Sequence, residues 1–335
     1  MRAVVYRENG PSSVLQLVER PIPEPGAGEV RVRMHVSGVN PTDWKGRANQ
    51  PLAFTEQVPN QDGSGVIDAA GAGVDPARVG ERVWIWLAAR QQSGGTAQEY
   101  VVVPSAHAVP LPENASFDLG AALGVPFLTA HRALTVHERS PQRLAPRVLN
   151  GRTVLVAGGA GAVGNAAIQL ARWAGATVLT TVSSSEKAEL AQAAGAEHVI
   201  NYQSQDVTAE VRRLAPGGVD TVVEVSVANM PTDVDVLSAN GVVVMYAGNP
   251  GDSVTVPLRP LMALNARWQY VLLYTMPDIA KADAIAGVNA AVAAGAVEVG
   301  TRRGLPLHRF PLEQTAAAHD AVEGGAVGKV LIEIS

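Results

Sequence analysis

The 335-residue chain contains no cysteine. Disulfides, iron–sulfur clusters, thiolate zinc sites and a cysteine nucleophile are therefore excluded. Its seven histidines form no His-x-x-x-His pair and no Gly-His-Glu triplet. Only a His/carboxylate set gathered from distant residues is left as a route to a metal, and no metal is expected. No stretch approaches the roughly 20 apolar residues of a membrane-spanning helix. A basic excess is missing as well: 26 Lys and Arg against 31 Asp and Glu give a net charge of −5. Neither nucleic acid nor an anionic membrane is expected as a partner. The opening Met1-Arg2-Ala3-Val4-Val5-Tyr6 runs straight into a strand-like segment rather than a signal peptide, so the default expectation is cytoplasmic. With 47% hydrophobic and 17% charged residues, the composition is that of a globular protein long enough for two domains.

Two rhythms divide the chain. Short β-branched runs at 3–6, 29–36, 65–68, 82–85 and 100–103 are separated by Pro/Gly turn clusters, which suggests a small barrel or half-barrel. Residues 116–134 then read as helical around Pro126. From Thr153 onward, apolar strand-like runs at 153–156, 177–182, 198–200, 220–223, 242–245 and 270–273 alternate with alanine-rich helical stretches at 165–174, 186–194 and 208–214. Continuous apolar runs of this kind are what a parallel sheet covered on both faces requires, and six of them match a doubly wound α/β fold. Residues 280–294 and 312–323 read as further helices and 329–334 as a closing strand.

The first apolar run opens into Ala157-Gly158-Gly159-Ala160-Gly161-Ala162-Val163-Gly164 and then a helix. Glycines at 159, 161 and 164 let a dinucleotide pyrophosphate approach main-chain N–H groups at a helix N-terminus. The bland alternative is a tight turn without a ligand. An NAD site usually ends its second strand in Asp or Glu, which grips the ribose 2′-hydroxyl. Here that strand ends in Ser183-Ser184-Ser185 with Lys187 beyond. Hydroxyls and a cation suit a 2′-phosphate, so NADPH is the expected cofactor, with Tyr202 as a further donor. Ser183 and Ser184 also suit the cap of the next helix, and the two roles are compatible. Loops at strand C-termini form the ligand crevice of such sheets, which adds Val225, Ser226, Tyr246, Ala247 and Tyr274 as candidate cofactor contacts.

The ordered segments Gly38-Val39-Asn40-Pro41-Thr42-Asp43-Trp44-Lys45, Asp62-Gly63-Ser64-Gly65, Val79-Gly80-Glu81-Arg82-Val83, Leu123-Gly124-Val125-Pro126, the glycine turn, Gly195-Ala196-Glu197-His198-Val199-Ile200-Asn201-Tyr202 and Gly328-Lys329-Val330-Leu331 carry a resemblance over nearly the whole chain. It is similar to zinc-free, zeta-crystallin-like quinone oxidoreductases of the medium-chain dehydrogenase/reductase superfamily. The resemblance implies a GroES-like, β-rich catalytic domain (1–125 and 275–335) and a Rossmann domain (126–274). Zinc-containing relatives carry Cys and His-Glu where this chain has Asn40 and Gln61-Asp62. Hydride transfer from NADPH to a quinone or an α,β-unsaturated carbonyl is the implied activity.

In the family pattern Asn40 and Asp43 lie beside the nicotinamide as catalytic residues, while Thr129 and Lys329 approach the cofactor. Against these stand simpler roles as a turn residue, a capping carboxylate, a helix threonine and a strand-edge lysine. Relatives commonly pair the strand matching 268–274 across a two-fold axis, so a homodimer is expected. Two alternatives stay open: an enoyl reductase acting on a larger or carrier-bound enone, and a catalytically silent NADPH-binding protein.

Overall fold

The computed structural model describes residues 1–334. In chain order it contains strands β1 (Arg2–Val5), β2 (Gln16–Glu19) and β3 (Glu29–Val39), helix α1 (Pro41–Asn49), and strands β4 (Asp62–Ala70), β5 (Arg82–Ile85), β6 (Tyr100–Pro104) and β7 (Ala108–Pro110). Helices α2 (Phe117–Ala122) and α3 (Leu128–Leu134) follow, joined by a π-helical turn that contains Pro126. Proline removes an N–H from the helical ladder, and a widened turn accommodates the loss. Six strands alternating with five helices come next: β8 (Thr153–Ala157), α4 (Ala162–Trp173), β9 (Thr177–Val182), α5 (Ser185–Ala194), β10 (His198–Asn201), α6 (Val207–Leu214), β11 (Val219–Glu224), α7 (Met230–Val236), β12 (Leu237–Met245), α8 (Leu258–Ala263) and β13 (Arg267–Tyr270). The chain closes with α9 (Asp278–Ala293), β14 (Leu307–Pro311), α10 (Thr315–Glu323) and β15 (Lys329–Glu333). No helix among the described residues is long and apolar enough to cross a membrane.

These elements form two compact units, Met1–Val125 with Pro306–Ser335, and Pro126–Leu305. The chain re-enters the first unit at Pro306 rather than at 275. The reason is packing: α9 lies against α3 and α4, with Arg143 paired to Asp283 of α9 at 2.8 Å.

In the first unit a seven-stranded sheet runs β14-β15-β3-β4-β5-β7, with β6 also paired to β3. Strand β3 alternates as the pleat demands. Val30, Val32 and Met34 join the core with Ile67, Val83, Val101, Val330 and Ile332, while Arg31 and Arg33 face outward. Register shifts against β4 bend this strand. On the opposite face, Val36 and Leu331 meet Ala121 of α2.

The second unit is a six-stranded parallel sheet in the order β10-β9-β8-β11-β12-β13, the doubly wound order of a dinucleotide fold. Its strands read as near-continuous buried runs, such as Val154–Ala157 along β8 and Val242–Met245 along β12. The sixth strand ends earlier than its apolar run suggested: β13 covers Arg267–Tyr270, and Leu273–Thr275 forms a 3-10 turn. The ladder partner β12 ends at Met245, whose carbonyl accepts Val271 N at 2.8 Å as the last bond between the two strands.

Candidate functional site

Two clusters carry chemistry, one in each unit. In the second, β8 ends at Ala157 and the chain turns through 158–164 into α4. The N–H groups of Gly158 and Gly159 are donated to Thr181 O of β9, which ties the turn to the neighbouring strand. A β-carbon on Gly159 would collide with Thr180 Oγ1, and one on Gly164 would collide with Gly158 O. Here glycine is a steric requirement. Gly161 caps α4 in an extended conformation with no side chain bonded to the first turn. The N–H groups at 162–164 therefore have no partner inside the helix, and an anion is their natural complement.

The adjacent carboxyl ends of β9, β11 and β12 bring Ser183, Val225 and Tyr246 to the same edge of the sheet as this turn. Ser184 accepts Lys187 N at 3.3 Å as the cap of α5, and Lys187 Nζ donates to Ser183 Oγ at 2.8 Å. Capping and anion binding thus share one helix end. Tyr202 N donates to Val182 O, which sets this half-exposed ring directly beyond β10. Ala247 follows Tyr246. Thr129 is buried in the first turn of α3, and Tyr274 lies in the 3-10 turn after β13.

The first unit brings Asn40, Asp43 and Lys329 together and adds Asp62, which the sequence reading named only as standing where zinc-containing relatives carry Glu. Asn40 caps α1 in an extended conformation, Pro41 begins the helix, and Asp43 Oδ2 accepts Asn40 N at 2.7 Å. The other Asp43 oxygen accepts Gln61 N at 3.2 Å. The carboxamide of Asn40 is fixed from both ends: Nδ2 donates to Asp62 Oδ2 at 2.7 Å and Oδ1 accepts from Lys329 Nζ at 2.7 Å. A flipped amide would set its N–H groups against the ammonium and its oxygen against the carboxylate, so the chemistry dictates one orientation. One Nδ2 hydrogen remains uncommitted.

Lys329 is 1% exposed and Asp62 0%. Asp62 Oδ2 also accepts Val125 N at 2.8 Å, whereas Oδ1 is buried with no partner. Gly124 stands over that oxygen, and a β-carbon there would collide with it. Burial, assisted by the charge on Asp62, pushes the Asp43 carboxyl up to about 7. Burial likewise raises Asp62 and lowers Lys329, each opposed by the other's charge. Tyr6, pushed up to about 12 by burial and then by Asp43, is a neighbour that sequence reasoning passed over. A buried chain of hydroxyls supports the cluster from behind: Thr96 Oγ1 donates to Asp62 O, Ser37 bonds Thr96, and Asn60 links Ser37 to His319. Among the described residues no three His, Cys, Asp or Glu side chains converge to hold a metal.

Comparison with known proteins agrees with this layout. Residues 26–113 match the alcohol dehydrogenase GroES-like domain and 162–299 the zinc-binding dehydrogenase family. The quinone oxidoreductase of Homo sapiens is 31% identical over 341 residues, covering 99% of this chain and 97% of that protein. Among solved structures, an NAD-dependent alcohol dehydrogenase superposes with a TM-score of 0.85 at 30% identity, covering all of both chains. A mycobacterial protein complexed with NADPH gives 0.80 at 27%, again over the whole of both. With a GroES-like unit, a Rossmann-like unit and full-length relatives of this kind, the chain belongs to the medium-chain dehydrogenase/reductase superfamily, as an oxidoreductase of the quinone oxidoreductase type.

Proposed function

We propose that this protein transfers hydride from NADPH to a quinone or an α,β-unsaturated carbonyl without using a metal. The observation that carries the cofactor choice is the Lys187–Ser183 contact beside the glycine turn, while the neighbouring Glu186 carboxylate is engaged by the Ser184 and Ser185 hydroxyls. An ammonium held by a hydroxyl at a helix N-terminus attracts a 2′-phosphate, and an acid in its place would repel one. The nicotinamide supplies the hydride. The chain's own residues orient the reactants and meet the charge that develops on the acceptor's oxygen.

We assign that role to the uncommitted N–H of Asn40, held in place by Asp62 and Lys329. Asp43 fixes the backbone of the same residue. Zinc does not suit this donor set. A buried ammonium occupies the Asn40 carbonyl, and the chain has no thiolate to offer. Acceptors that are electrophilic without a Lewis acid therefore fit best.

The same reading includes a homodimer. Strand β13 is the last of its sheet, with Tyr270 67% and Leu272 56% exposed beside it. An open apolar strand edge of this type invites pairing with a second copy.

The test is NADPH consumption followed at 340 nm against quinones, enones and aldehydes, with kcat/KM compared for NADPH and NADH. NADPH is expected to be preferred, and Lys187→Ala to reduce that preference about tenfold, the value of one charge-assisted hydrogen bond. A preference for NADH in the wild type would remove the cofactor assignment.

A further inference from the structure

A second carboxyl pair lies in the Rossmann-like unit, outside the cluster around Asn40. Glu224 ends β11, next to β8 in the sheet. Its Oε1 accepts three hydrogen bonds from the loop that follows: Val225 N at 2.7 Å, Ser226 N at 2.7 Å and Asn229 Nδ2 at 3.0 Å. That clamp sets Val225 against the glycine turn, with Cγ1 3.6 Å from where a β-carbon on Gly158 would stand. Behind the loop, the Asp233 carboxyl of α7 lies against Glu224, with its Oδ2 buried and without another partner among the described residues. Both acids are 1% exposed. Two buried carboxyls in contact cannot both be ionised at neutral pH. Burial raises the Glu224 carboxyl too, but its three donors oppose the rise, so of the two acids Glu224 keeps the charge. Asp233 keeps the proton, its carboxyl pushed up to about 9 by burial first and by the Glu224 charge second.

We propose that Glu224, clamped to the 225–229 loop, and Asp233, buried behind it, are positioning residues for the cofactor. The protonated acid holds its partner anionic and clamped on the 225–229 loop, which forms one wall of the glycine turn. The proposal rests on the reading of that turn as a dinucleotide site. The other charged groups nearby leave the pair as it is. The Tyr246 phenol is raised by burial first and by the Glu224 charge second. On α6, which packs against α7, Arg212 reaches the Asp235 carbonyl while Arg213 pairs with Glu210. At the far end of β11, Arg139 and Arg152 are held by Asp220.

Asp233→Asn keeps an N–H donor for Glu224 but cannot ionise. Glu224→Gln keeps the loop's acceptor but not its charge. NADPH affinity, followed by fluorescence titration of the full chain, is expected to be steady up to about pH 8.5 in the wild type. It should then weaken at least tenfold by pH 10, as a second negative charge forces the pair apart. Asp233→Asn should bind as the wild type does at pH 7 and lose that alkaline weakening. Glu224→Gln should bind about tenfold more weakly at pH 7, with circular dichroism unchanged.

The folded-state proton also predicts that wild-type Tm falls relative to Asp233→Asn between pH 5 and 9, then runs parallel to it above 9. If Glu224→Gln does not fold, the Asp233→Asn comparison decides alone. Matching pH profiles of affinity and Tm in wild type and Asp233→Asn would overturn the proposal. So would wild-type affinity in Glu224→Gln. A wild type that binds no NADPH at any pH would instead remove the dinucleotide reading on which the proposal stands.

Discussion

At the scale of single residues, the first unit shows how a polar cluster survives burial. Lys329 donates to Asn40 and balances Asp62 across 4.0 Å, so removing the cation leaves an acid buried without compensation. Lys329→Met is expected to cost about 3–5 kcal/mol, the range for breaking a buried pair from one side, measured by urea denaturation. Asp43 titrates with the opposite sign to an ordinary surface carboxylate. Its folded form holds a proton up to about pH 7 while its unfolded form releases it near 3.8. Stability is therefore fully present below pH 4 and falls as pH rises toward 7. Thermal melts between pH 5 and 8 should show a drop in the wild type that is smaller in Asp43→Asn. Sequence reasoning found Asn40, Asp43 and Lys329 through motif position. It left Asp62 inside a glycine-rich motif without a chemical role, because a lone acid at a strand start usually faces water. Its importance comes from Asn40 just after β3 and Lys329 of β15, one strand further along the sheet, converging on it, which no local pattern encodes.

At the scale of elements, the glycine turn was the most legible feature, because sterics allow few alternatives. Gly159→Ala should abolish cofactor binding and lower Tm, since its β-carbon must displace Thr180 Oγ1; fluorescence titration together with a melt checks both. Helix α1 was not foreseen. Its nine residues, Pro41-Thr42-Asp43-Trp44-Lys45-Gly46-Arg47-Ala48-Asn49, lack an apolar stripe, and Asn40-Pro41 read as a turn. The start signals were nonetheless present: Asn at the cap, Pro at the first position and an acid at the third. The end of β13 was misplaced because apolar residues continue through Leu273, whereas pairing is limited by where β12 stops. Helix α7 was missed too. Its seven residues place Asp233 against Glu224 through the fold of the loop before it, and charge patterning in sequence does not report such a contact.

At the scale of the whole molecule, the division into two units was legible from the change of rhythm at Thr153. The second boundary was not, because α9 resembles any alanine-rich helix and its placement depends on partners such as Arg143. The proposed homodimer belongs to this scale. Light scattering at micromolar concentration should give twice the 34.8 kDa chain mass, and Tyr270→Lys together with Leu272→Lys should shift it toward the monomer.

The first unit's sheet places β15 between β14 and β3, with Val330 opposite Val39. The open edge of β3 thus waits for a partner about 290 residues downstream. At about 5–20 residues per second, synthesis leaves that edge uncovered for roughly 15–60 s. A nascent chain spends this interval exposed to self-association. A version ending at Gly328 would be caught there permanently, and should emerge in inclusion bodies even though its six parallel strands are intact.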